Sequence, residues 1–137
     1  MLIKGGCLCG AVRYQSSESP ITTRTCWCRD CQYLAAGSAT VNLIFHNAAL
    51  TIDGPLQTFS SPAASGTLMH RAFCPACGTP ISSRAETRPH LVVIRAGTLD
   101  DPSFARPSAT IWTSSAPKYA CIDPTLPQVP HQPPPAA

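Results

Sequence analysis

The cysteines constrain this chain more than any other feature, because seven of the eight fall in three tight clusters. The clusters are Cys7-Leu8-Cys9, Cys26-Trp27-Cys28-Arg29-Asp30-Cys31 and Cys74-Pro75-Ala76-Cys77. Structural zinc sites use four protein ligands, whereas catalytic zinc sites use three and keep one position open. Thiols arriving as two, three and two therefore predict one closed and one open zinc site, with two zinc ions per chain.

The first and third clusters are expected to form the closed site. Residues i and i+2 of an extended segment point to the same face, so Cys7 and Cys9 present both thiols on one side. Cys74 and Cys77 present theirs around a tight turn, and the four together would be the structural zinc ligands. Structural zinc binds small zinc peptides with about 10–16 kcal/mol, against a typical domain stability of about 5–15 kcal/mol. Metal loss is therefore expected to unfold the chain.

The middle cluster is expected to form the open, catalytic zinc site. Cys26, Cys28 and Cys31 can bind one ion from a single short segment, which leaves a fourth position for water, substrate or another residue. A residue filling it would be Cys121 or one of four histidines, namely His46, His70, His90 and His131. Cys121 has an apolar context that predicts a buried structural cysteine instead. No catalytic side chain is assigned beyond the open zinc position.

Length and composition indicate one domain of 137 residues. No apolar run is long enough to span a bilayer, and the segment before Cys7 is too short for a signal peptide. A cytoplasmic chain is expected, in which clustered thiols bind metal; a secreted framework of four disulfides is the alternative. The formal charge of +3 falls to about zero once bound thiolates and zinc are counted. No basic stripe indicates a nucleic-acid partner, and the oligomeric state stays open.

Short segments of alternating polarity predict a mainly β fold with little helix. The expected strands cover residues 11–15, 41–45, 68–73, 91–95 and 109–112. Gly54-Pro55, between residues 50–52 and 56–59, indicates the turn of a hairpin. A helix is expected over residues 31–36, with Asp30 as its N-cap and Gly37 at its end. The domain would span residues 1–127, and residues 128–137 would be a flexible proline-rich tail.

Two arginines and one histidine bear on the charge of the middle site. Three thiolates would give a zinc ion there a net charge of −1, which Arg29 or nearby hydrogen-bond donors are expected to offset in part. His70 and Arg71 lie close to Cys74 in sequence and are interpreted as residues of a strand surface. Contact with a carboxylate of a substrate is the alternative for both.

Four segments taken in order resemble the glutathione-dependent formaldehyde-activating family, also called the centromere-protein-V domain family. They are Gly6-Cys7-Leu8-Cys9-Gly10-Ala11-Val12-Arg13-Tyr14, Cys26-Trp27-Cys28-Arg29-Asp30-Cys31, Phe73-Cys74-Pro75-Ala76-Cys77-Gly78-Thr79-Pro80 and Gly97-Thr98-Leu99-Asp100-Asp101-Pro102. The resemblance runs to about Pro127 and implies an Mss4-like, mainly β fold with two zinc ions. It assigns the structural zinc to the first and third clusters and the catalytic zinc to the middle one.

The same resemblance implies a carbon–sulfur lyase acting on the adduct of glutathione and formaldehyde, with a small-molecule thiol or aldehyde as substrate. A zinc-stabilised binding module without turnover and a thiol redox sensor are the alternatives. Two departures from the family pattern bear on the substrate. Trp27 stands where a histidine is common, and Lys118-Tyr119 follows Pro117 where a tryptophan is common.

Overall fold

The computed structural model describes residues 2–137 and is mainly β with little helix, as the sequence predicts. The strands are β1 (Ile3–Gly6), β2 (Arg13–Ser16), β3 (Thr22–Cys26), β4 (Thr40–His46), β5 (Leu50–Asp53), β6 (Gln57–Pro62), β7 (Leu68–Phe73), β8 (Pro80–Ala85), β9 (Leu91–Arg95), β10 (Ala109–Ile111) and β11 (Gln128–Val129). The α-helix is α1 (Arg29–Leu34), and short 3-10 helices cover Asn47–Ala49, Ala96–Thr98, Pro102–Phe104 and Thr113–Ser115. No helix within residues 2–137 is long and apolar enough to cross a bilayer.

The strands form two sheets. A three-stranded sheet has the order β1-β2-β5, and an eight-stranded sheet has the order β11-β10-β3-β4-β9-β8-β7-β6. Strand β10 runs parallel to both of its neighbours, β3 and β11. The other strand pairs are antiparallel. The larger sheet therefore places strands that are far apart in sequence next to each other, such as β3 beside β10 and β4 beside β9.

The core lies against one face of the larger sheet, because alternate side chains of a strand point to opposite faces. Four fully buried side chains form that face: Leu43 and Phe45 of β4, and Val92 and Ile94 of β9. Tyr14 of the smaller sheet packs in the same cluster. The residues between these positions point to the opposite face of the larger sheet, and the candidate site lies on that face.

The expected strands are confirmed, but the expected hairpin at Gly54-Pro55 is wrong. Strand β5 pairs with β2 in the smaller sheet, whereas β6 pairs with β7 in the larger one. Gly54 has a φ of +114°, and a Cβ there would lie 2.2 Å from the carbonyl oxygen of Ala11. The Gly-Pro pair thus marks a crossing between sheets, where the backbone of residue 54 packs tightly against another segment.

Helix α1 begins earlier than predicted. Its N-cap is Cys28, whose Sγ accepts a hydrogen bond from the N–H of Cys31 at 3.3 Å. Asp30 is therefore not the cap; it lies in the first turn, where its carboxylate accepts a hydrogen bond from Arg71 at 3.2 Å. The Cys28 sulfur thus takes the place of the side-chain oxygen that usually caps a helix. The helix also ends earlier than predicted, with Ala35 as its C-cap, so Gly37 lies beyond its end, with a φ of +98°.

The C-terminal segment contacts the larger sheet. Gln128 and Val129 form β11, which pairs with Thr110 and Ile111 of β10. Beyond the strand, the Nε1–H of Trp112 donates to Oε1 of Gln132 at 2.9 Å. The Trp112 ring also meets the ring of His131 edge-on, with centroids 5.5 Å apart. The domain boundary between residues 127 and 128 stays a prediction.

Candidate functional site

The thiols of the first and third clusters meet at the edge of the core. Cys7 follows β1, and Cys74 and Cys77 follow β7; with Cys9 their four Sγ atoms lie within 4.8 Å of one another. The Sγ atoms of Cys7 and Cys9 are 3.5 Å apart, and those of Cys9 and Cys74 are 3.8 Å apart. These distances exclude disulfides, in which sulfur atoms lie about 2.05 Å apart.

The spacing of these four sulfurs fits a zinc ion. Tetrahedral zinc with Zn–S bonds of about 2.3 Å places its ligand sulfurs roughly 3.8 Å apart. The surroundings favour thiolate at two of the four cysteines. The N–H of Val12 donates to Cys7 Sγ at 3.2 Å and lowers the pKa of that thiol. A hydrogen bond with the Thr79 hydroxyl lowers the pKa of Cys77 to about 5. At Cys9 a backbone hydrogen bond from Ala11 lowers the pKa, but contacts with Cys7 and Cys77 outweigh it and raise the pKa to about 11.

The three thiols of the middle cluster form a second group. Cys26 ends β3, Cys28 caps α1 and Cys31 lies in its first turn, so strand and helix hold all three Sγ atoms within 4.8 Å. Cys26 and Cys31 are buried and Cys28 is half-buried. Hydrogen bonds from Cys26 and then Cys28 lower the pKa of Cys31. The corresponding contacts with Cys28 and Cys31 raise the pKa of Cys26. An all-sulfur donor set suits zinc, and three donors leave one position for an exchangeable ligand.

No fourth histidine, cysteine, aspartate or glutamate joins the middle group within residues 2–137. Cys121 is exposed, so the expectation that it is buried is wrong. It lines a separate depression together with Thr25 and Trp27, which alternate with Cys26 along the chain and therefore face the other way. Trp27 is buried there and does not line the cavity beside the thiols.

The histidines make other contacts. His46 faces Glu18, and His70 bonds with Ser60 and Glu86. His90 approaches the oxygen of residue 137, and His131 packs on Trp112 as described above. The interpretation of His70 as a strand-surface residue agrees with these contacts.

A cavity of about 150 Å³ opens beside the middle thiols on the free face of the larger sheet. Five arginines line it: Arg24, Arg71, Arg84, Arg88 and Arg95. For Arg24, Arg71 and Arg95 this follows from strand geometry, because cavity-facing positions on adjacent strands alternate with core-facing ones. Arg84 follows the cavity-facing Ser83 on β8, and Arg88 lies in the loop after that strand. Arg24 and Cys26, for example, are two residues apart on β3 and share a face. The sequence predicted none of these roles except as the alternative for Arg71.

The arginines differ in the partners that their guanidinium groups contact. Arg71 is 13% exposed at its side chain and pairs with Asp30, and it also donates to Ser61 Oγ at 2.8 Å. Arg95 donates from Nη1 to Asn42 Oδ1 at 2.5 Å, and burial lowers the pKa of its guanidinium while the charge on Cys31 opposes that shift. Burial, then the charge of Arg88, lowers the pKa of Arg24. The cavity therefore holds more positive than negative charge and suits an anionic ligand.

The C-terminal segment completes the cavity wall. Gln132, Pro135 and Ala136 lie along it, opposite residues of the sheet. Trp112 also lines the cavity, and its hydrogen bond to Gln132 holds the C-terminal segment in place. Access to the middle thiols thus passes beside residues 132–136.

Comparison with known proteins places these features in context. The family model described as glutathione-dependent formaldehyde-activating enzyme matches residues 2–115. No curated protein matches the chain. Among solved structures, a Rhodobacter sphaeroides protein is similar, with a TM-score of 0.56 and 20% identity. The match covers 71% of this chain and 87% of that protein, and at this identity it shows a shared fold.

Proposed function

Because the chain belongs to the glutathione-dependent formaldehyde-activating enzyme family, we propose that it is a zinc-dependent carbon–sulfur lyase. Its substrates would be adducts of a thiol with an aldehyde, of the S-(hydroxymethyl)glutathione type. The observation that carries the proposal is the three-thiol group that opens into an arginine-lined cavity. A purely structural zinc module has no need for an open coordination position beside a cavity.

The thiols of the two groups would hold the metal in different ways. Cys7, Cys9, Cys74 and Cys77 offer a closed set that ties β1 to the segment after β7. The middle set offers three sulfurs and faces the cavity. A zinc ion bound there supplies Lewis acidity and a site for thiolate sulfur.

The chain's own residues would bind and orient the adduct. Arg24 and Arg88 make no side-chain hydrogen bond or ion pair within residues 2–137, so their guanidinium groups are available to substrate carboxylates. Arg71 already pairs with Asp30 and would hold the helix that carries the thiols against β7. In the reaction the carbon–sulfur bond breaks, the adduct hydroxyl becomes the aldehyde carbonyl, and its proton ends on the released thiol.

The C-terminal segment would limit water in the cavity, since Gln132, Pro135 and Ala136 cover one side of it. Exclusion of water strengthens the attraction between an anionic substrate and the arginines. We further propose a reducing cytosol as the compartment, where the eight free thiols persist.

The test is exchange between glutathione, formaldehyde and their adduct, followed by magnetisation-transfer NMR with protein carrying two zinc ions. We expect faster exchange than in buffer, lost in Cys28→Ala and kept in Cys121→Ala, with circular dichroism confirming that both variants fold. Arg88→Met should raise KM more than it lowers kcat, because it removes binding charge and no reacting group. No acceleration by folded protein with two zinc ions would contradict the lyase and favour the binding module.

A further inference from the structure

Arg95 lies in the cavity wall beside the three thiols without a carboxylate partner. Its Nη1 donates to the neutral amide of Asn42, and its buried Nε has no hydrogen-bond partner within residues 2–137. None of the ion pairs formed by the described residues includes it. Burying a cation costs several kcal/mol unless an opposite charge compensates. Arg95 is half-buried, so a negative group close to it would offset the cost of that partial burial.

The strand register points to the middle thiols as that group. Cys26 pairs with Thr40 across β3 and β4, and Asn42 pairs with Arg95 across β4 and β9. Thr40 and Asn42 are two residues apart on β4 and share a face, so Cys26 and Arg95 project from that same face. The Arg95 guanidinium reaches back over β4, where it meets Asn42 in the cavity that the three thiols also line.

Two of the other cations near the cluster, Arg29 and Arg71, are already engaged, and the pKa of Arg24 responds to its burial and to Arg88 but to none of the three thiols. Arg29, which the sequence suggested for this role, donates to Gln32 Oε1 and stacks over the Tyr33 ring at 5.2 Å. Tyr33 is 79% exposed, so this pair lies on the outer side of α1. The charge of Arg71 is matched by Asp30.

We propose that Arg95 is a positioning residue that supplies the counter-charge of the Cys26, Cys28 and Cys31 set. Three thiolates and one divalent ion carry a net charge of −1, and the guanidinium brings the group to neutrality. A neutral group would accept an anionic ligand at its open position without the repulsion that a charge of −1 imposes. The proposal concerns metal binding by the protein itself, so it can fail or hold independently of the lyase activity.

The test measures metal affinity and the spectrum of bound cobalt(II). Zinc is titrated against a competing chelator. The Cys28→Ala variant lacks a complete middle set, so its titration gives the zinc binding of the four-thiol set alone. Arg95→Met should weaken the middle site by about 10–100-fold, the range found when outer-sphere partners of metal ligands are removed. Arg95→Lys should restore most of the affinity, because it keeps the charge. Arg88→Met removes the same charge from another part of the cavity wall and should leave the affinity unchanged.

The cobalt spectrum separates charge from structure. The sulfur-to-cobalt charge-transfer bands of the middle site should move in Arg95→Met and keep their wild-type positions in Arg95→Lys and Arg88→Met. Wild-type affinity and bands in Arg95→Met would overturn the proposal, as would an equal loss in Arg88→Met.

A second variant decides the question if Arg95→Met does not fold. Asn42→Asp is nearly isosteric and places a carboxylate on the Arg95 guanidinium, where Nη1 already donates to the residue 42 side chain. The carboxylate would neutralise the Arg95 guanidinium, which would then no longer offset the charge of the thiolates. Zinc binding at the middle site should therefore weaken while Arg95 stays in place. Unchanged zinc affinity in folded Asn42→Asp would overturn the proposal.

Discussion

Removing residues 131–137 should expose the middle thiols while leaving the sheet intact. The deletion keeps β11 and the Pro130 carbonyl that accepts from Ser114. It removes Gln132, which lines the cavity, and both contacts that hold the segment to Trp112. The expected result is faster access of small reagents to Cys26, Cys28 and Cys31.

The size of the effect follows mainly from the two contacts with Trp112. The bond between Ser114 and His131 at 3.3 Å and the approach of His90 to residue 137 at 3.4 Å are long and exposed, so they add little. The bond from Trp112 to Gln132 is solvent-accessible, so it contributes at the lower end of the usual range, about 0.5 kcal/mol. The edge-on contact between Trp112 and His131 contributes about 1 kcal/mol. Together they give about 1.5 kcal/mol, which corresponds to a closed-to-open ratio of roughly ten. Trp112→Phe keeps a ring but loses the donor, so it should raise access only about twofold.

The assay is alkylation of metal-loaded protein by iodoacetamide, resolved by peptide mass spectrometry. The middle thiols should react about tenfold faster after the deletion. Cys9 and Cys121 are exposed and lie away from the cavity, so their rates serve as internal references. Thr125→Ala changes a turn before β11 that does not line the cavity and should react as wild type. Wild-type rates at the middle thiols after the deletion would refute the reasoning, and equal acceleration at every cysteine would indicate unfolding instead.

Three further variants test other parts of the structure. Cys121→Ser should keep two zinc ions per chain by elemental analysis, because Cys121 lies outside both thiol groups; a fall to one would contradict the open site. Asp100 has a pKa lowered by its hydrogen bond from Arg13, so its stabilisation is present above the unfolded pKa of about 3.9 and is lost as pH falls through the folded value. In Asp100→Asn the melting temperature should therefore fall less steeply as the pH is lowered below about 4 than it does in the wild type. Near neutral pH the two melting temperatures should change with pH in the same way. Gly54→Ala should lower the unfolding free energy by about 3 kcal/mol in chemical denaturation, because it strains a φ of +114° and meets a backbone oxygen; an unchanged midpoint would refute that packing.

The cysteine spacing predicted which thiols come together, because local geometry limits the possibilities. Cys7 and Cys9 share a face, Cys74 and Cys77 flank a turn, and both arrangements are set within a few residues. The pairing of the first cluster with the third across the chain came from counting ligands, and the structure brings those sulfurs together.

The cavity could not be predicted in the same way. Arg24, Arg71, Arg84, Arg88 and Arg95 come from four strands and a loop, and only the sheet order places them together. The turn at Gly54-Pro55 shows the same limit, since a local turn signal does not say which sheet the next strand joins. The N-cap of α1 was misassigned because residue preferences for oxygen acceptors ignore a thiol held in place by its neighbours.

The four-thiol set has a consequence for the order in which the chain folds during synthesis. Cys9 and Cys74 are separated by 65 residues, which a ribosome adds in about 3–13 s. Through that interval Cys7 and Cys9 have no native partner, while Cys26, Cys28 and Cys31 emerge as a complete local set. The early thiols can meanwhile share an ion with the wrong cluster. If the thiol sets bind metal as proposed, a chain stalled between residues 31 and 74 would hold it in a non-native ligand set.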